Sequence, residues 1–77
     1  MTALDRVMET YADMLSADIL EKGPFTQAVK DLAESTEDPW VRATAEEILI
    51  TLRLIDTPDE VRLIQSDLAR IQRRVQA

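Results

Sequence analysis

Hydrophobic residues in this chain recur every three or four positions, and no apolar–polar alternation of period two survives beyond four residues. That spacing belongs to helices rather than strands. Leu4, Met8, Tyr11, Leu15 and Ile19 form one stripe, widened by Val7 and Met14, which predicts a first helix from about Ala3 to Lys22. Thr2 and Asp5 supply a capping box at its start. Gly23 stands where a left-handed residue would stop it, with Pro24 following. Phe25, Ala28, Val29, Leu32 and Ala33 predict a short second helix from about Pro24 to Glu34. The third, from about Pro39 to Ile55, opens with an Asp38 cap and Pro39 in the first helical position. The fourth, from about Pro58 to Val75, follows a Thr57–Glu60 capping box, and its Val61, Ile64, Leu68, Ile71 and Val75 repeat every 3.5 residues on average. That is the seam of a helix packed lengthwise on a neighbour. Short breaks favour sequential helices lying side by side. The fold expected is all-α: a compact antiparallel bundle of four helices, one of them short, in a single helical domain over residues 1–77.

The third helix is unusual. Val41, Ala45, Ile48, Leu52 and Ile55 make one apolar face, while Ala43, Ile50 and Leu54 fall nearly opposite, with Trp40 at the second helical position. A helix in a small bundle normally shows one side to water. The second face therefore reads as a protein interface, for self-association or a partner, unless the helices beside it cover it.

Composition removes whole classes of chemistry. There is no His and no Cys, hence none of the usual zinc sites, thiol or imidazole catalysis, or disulfides. A lone Gly cannot make a phosphate-cradling loop. No apolar run approaches the ~20 residues that span a bilayer, and no secretory leader opens the chain, so a soluble cytoplasmic protein is expected. Seventy-seven residues without staples make a marginal core, which favours regular packing or oligomerisation.

The formal charge of −6 sits entirely in residues 1–38, with nine acids and three bases; residues 39–77 hold six of each. This sign argues against direct nucleic-acid binding. It suits a basic partner or mimicry of nucleic acid. Asp5, Glu9 and Asp13, four residues apart, would line the outer face of the first helix as a negative stripe or simply as a solvated face. Glu34, Glu37 and Asp38 read as capping and turn chemistry, since the oxygen-rich, glycine-containing loop of a calcium site is missing. Glu46 and Glu47 lack the His partners of a carboxylate metal site, and a bundle of this size encloses no substrate cleft. Arg70, Arg73 and Arg74 suit the C-terminal end of a helix.

Residues 38–49 read Asp-Pro-Trp-Val-Arg-Ala-Thr-Ala-Glu-Glu-Ile-Leu. Through Asp38, Pro39, Val41, Arg42, Ala45 and Leu49 this segment resembles the turn and second helix of a HEAT repeat. The resemblance covers residues 24–54 and implies that helices two and three form a HEAT-like hairpin. HEAT-like proteins are protein-binding scaffolds. A fainter echo follows at Thr57–Arg62. A solenoid needs about three stacked units to bury its faces, so the implication here is one hairpin.

These observations favour a small acidic helical protein–protein interaction module, homodimeric, acting as a regulator, adaptor or inhibitor by binding another protein. No enzyme activity, cofactor, metal, membrane or small-molecule substrate is expected. The expected interface is Trp40, Ala43, Ile50 and Leu54, and the acidic partner surface Asp5, Glu9 and Asp13. Two alternatives stay open. One is an acidic nucleic-acid mimic or phage anti-defence protein that blocks a basic nucleic-acid-binding groove. The other is a structural subunit of a helical assembly.

Overall fold

A computed structural model describes residues 2–76. Four α-helices run in order: α1 (Ala3–Ser16), α2 (Gly23–Ser35), α3 (Pro39–Leu54) and α4 (Gln65–Gln76). A 3-10 segment, Pro58–Ile64, leads directly into α4. The described residues contain no strand. The radius of gyration is 11.6 Å, against about 11.5 Å for a close-packed chain of this length, so the helices form one globule rather than an extended stack.

α2 packs against both α1 and α3. Its five expected core residues, Phe25, Ala28, Val29, Leu32 and Ala33, are all buried. A three-residue turn joins it to α3, consistent with the expected hairpin. Asp38 caps α3 through its carboxylate, which accepts from the Trp40 N–H at 2.9 Å. Arg42 then reaches back over the end of α2, donating from Nε to the Ala33 carbonyl at 3.1 Å and from Nη2 to the Thr36 carbonyl at 2.9 Å. Unsatisfied carbonyls at a helix end are closed here by a side chain of the next helix.

α1 departs from expectation in two ways. It ends at Ser16, not Lys22. Its last turn carries no basic residue, Asp18 and Glu21 beyond it would oppose the helix dipole, and the Ser16 hydroxyl ties up the Asp13 carbonyl at 3.1 Å. Gly23 is not a left-handed stop: no described glycine has positive φ, and Gly23 is the first residue of α2. The buried stripe is also rotated. Leu4, Val7, Tyr11 and Met14 form it, joined by Thr10, whereas Leu15 and Ile19 face solvent. The Thr10 hydroxyl bonds within its own helix, to the Arg6 and Val7 carbonyls at 2.8 and 3.0 Å.

The predicted fourth helix begins as a 3-10 turn rather than an α-helix. In that geometry residues three apart lie directly above one another, and Val61 and Ile64 are both fully buried. The Gln65 N–H bonds to the Arg62 carbonyl. The Val61 carbonyl accepts instead from the hydroxyl of Tyr11, at 3.1 Å. Farther along, Leu68 and Ile71 continue the buried seam, while Val75 is exposed.

Burial raises the pKa of the Tyr11 phenol above its ordinary 10.0, against a smaller opposing effect of the Arg62 charge. The unfolded phenol therefore ionises first, and stability should fall as pH rises from about 10 through the raised folded value. Tyr11→Phe is expected to cost about 1 kcal/mol at neutral pH and to remove this part of the alkaline decline. Urea melts of both forms at several pH values between 7 and 11 check it; parallel declines would disprove the assignment.

Candidate interaction surface

α3 is the element on which a surface is built. Its inner face, Val41, Thr44, Ala45, Ile48 and Leu52, is buried. The Arg42 contacts place α2 along one of its edges. The opposite edge carries Trp40, whose ring lies 5.3 Å from the Arg70 guanidinium carbon and 5.1 Å from that of Arg74. These distances are within the range of cation–π attraction. Arg74 also donates from Nε to Asp38 at 2.6 Å. That bond holds the Asp38 carboxyl below its ordinary range, and the Trp40 N–H adds to the effect. The end of α4 is thereby fastened to the start of α3.

With both edges flanked, the outer face of α3 stays open. Ile50 is 60% and Leu54 73% exposed, and Ala43 beside them is exposed as well. Glu46, Glu47 and Arg53 border this strip, all exposed. Of the four residues expected to share an interface, the structure groups Ala43, Ile50 and Leu54. Trp40 lies about 80° around the helix from Ile50, at 100° per residue, half-buried under its own chain's arginines.

The acidic stripe of α1 is exposed at all three positions, Asp5, Glu9 and Asp13. Asp5 serves its own helix. Its carboxylate accepts from the Thr2 N–H at 3.2 Å, and the Thr2 hydroxyl accepts from the Asp5 N–H at 3.1 Å. These bonds to Thr2 lower its pKa. Glu34 and Glu37 are exposed, and Asp38 is engaged as described; among the described residues, no group of three or more carboxylates is placed to hold a metal ion.

One feature was absent from the sequence reading. Lys22 donates from Nζ to the Leu52 and Ile55 carbonyls, each at 2.8 Å, closing the end of α3. It also borders an open cavity of about 150 Å³ lined by Lys22, Thr26, Lys30, Leu49, Leu52 and Arg53. The signal is present in the sequence: Lys22, Thr26 and Lys30 recur every four residues, one edge of a helix. This cavity lies on the α2 side of the apolar strip, the edge that carries both Glu46 and Arg53.

No helix of the described residues is long and apolar enough to cross a membrane. Comparison with known protein families, characterised proteins and solved structures finds no match to this chain. The likeness of residues 38–49 to a HEAT repeat thus remains a short motif, and function is read from the fold and its surface.

Proposed function

We propose that this chain is a small acidic helical protein-interaction module that self-associates through the outer face of α3 and regulates, adapts or inhibits another protein by binding it. The observation that supports this reading most directly is the exposure of Ile50 and Leu54, two large apolar side chains one turn apart on a helix whose opposite face is fully buried. Neither contributes to the core, so folding of the monomer gives no reason for their apolar character. A 77-residue chain gains from covering such a face, because small domains bury a smaller share of their surface on folding.

The test is light scattering after size exclusion, from micromolar to about millimolar protein, on the wild type and an Ile50→Ser, Leu54→Ser double variant. The expected result is a concentration-dependent dimer in the wild type and a folded monomer in the variant. A wild type that stays monomeric throughout would refute self-association.

A further inference from the structure

We propose that two copies pair through α3 running in opposite directions, with Glu46 of each copy seated beside Arg53 of the other at the mouth of the cavity lined by Lys22, Lys30 and Arg53. The inference rests on the reading of α3 as a self-association surface and adds its orientation and register. Viewed down α3, at 100° per residue, Ile50, Ala43 and Leu54 span roughly 40° of outward arc. Glu46 and Arg53 both lie on the edge towards α2, and Glu47 lies on the edge towards Trp40.

Charge on these edges distinguishes the two ways of pairing identical helices. In a parallel pair, the α2-side edge of one helix meets the Trp40-side edge of the other at the same height. That sets Glu46 beside the second copy's Glu47, two acids in contact. In an antiparallel pair related by a two-fold axis, like edges face each other with their order reversed. Glu46 and Arg53 are seven residues apart, about 10 Å along the axis. A two-fold axis passing between Leu49 and Ile50 therefore brings each Glu46 opposite the other copy's Arg53, twice over, because such an interface is isologous.

The side chains are free to make these pairs. Glu46 and Arg53 are both exposed, and neither joins an ion pair with another described residue. The cavity beside Arg53 contributes Lys30 and the apolar walls of Leu49 and Leu52, a fitting environment for a carboxylate on an apolar stem. The strip is short. Its burial falls below the ~800 Å² per partner of stable complexes, so a weak, exchanging dimer is expected and the concentration series must reach about 1 mM.

The experiment is sedimentation velocity at fixed ionic strength on four forms: wild type, Glu46→Arg, Arg53→Glu and the double reversal. Far-UV circular dichroism confirms that each is folded. Both residues are exposed, so the substitutions leave the core untouched. Each single reversal should weaken dimerisation about tenfold or more by placing like charges together, and the double reversal should restore it to within about threefold of wild type. A dimer that ignores the single reversals, or that the double reversal fails to rescue, overturns the register. If Ile50→Ser, Leu54→Ser still abolishes that dimer, self-association through α3 stands without it. A wild type monomeric to 1 mM, with the strip left to a partner of different sequence, overturns both.

Discussion

Phe25→Ala is expected to remove about a quarter or more of the protein's stability. Phe25 is fully buried near the start of α2, and its ring centroid lies 5.6 Å from that of Tyr11 on α1. Truncating a buried phenylalanine removes its transfer free energy and leaves a cavity, together about 3–5 kcal/mol. A chain of this length has a total stability of roughly 4–12 kcal/mol, at about 0.05–0.15 kcal/mol per residue. The loss is therefore a large fraction of the whole. α2 is the helix that touches both α1 and α3, so little of the core can reorganise around the gap. Urea titration followed by circular dichroism checks this. A midpoint within a few tenths of a molar of wild type would mean that the interior collapses onto the cavity.

Lys22→Met should cost about 1.5–3 kcal/mol, the range for hydrogen bonds made by a charged group. Methionine keeps the apolar stem and removes the ammonium that closes the Leu52 and Ile55 carbonyls. Exposed carbonyls at the end of α3 would then need water as a partner, and the positive charge that complements the helix C-terminus would be gone. Lys22→Arg should recover much of the loss. Hydrogen exchange locates the effect: the Ile55 amide, which bonds to the Leu52 carbonyl, should exchange faster in the methionine variant. Unchanged protection at that end of α3 would remove Lys22 from the cap.

Where local chemistry decided the outcome, the sequence was informative. Asp38 and Pro39 start α3 where capping chemistry puts them, and Phe25 through Ala33 are buried at the expected spacing. The open face of α3 was also legible, because Ile50 and Leu54 stand opposite Ile48 and Leu52 on any helical wheel. What was missed depended on contacts distant in sequence. Ile19 fits the first stripe by spacing alone and faces water because α1 stops at Ser16. The 3-10 segment follows from the packing of Val61 and Ile64 and from Tyr11, fifty residues earlier. Lys22 looks like the tail of one helix and acts on the end of another, thirty residues on. Trp40, expected at the interface, is instead half-buried, because Arg70 and Arg74 of α4 lie over its ring.

The way the helices are closed bears on how the molecule comes apart. Arg42 of α3 covers the end of α2, and Lys22, at the start of α2, covers the end of α3. Arg74, near the far end of the chain, holds the Asp38 cap. A helix capped by its own glycine could survive alone for a while. Here the ends of α2 and α3 are closed by side chains from other elements, so these two helices should melt together rather than one after the other.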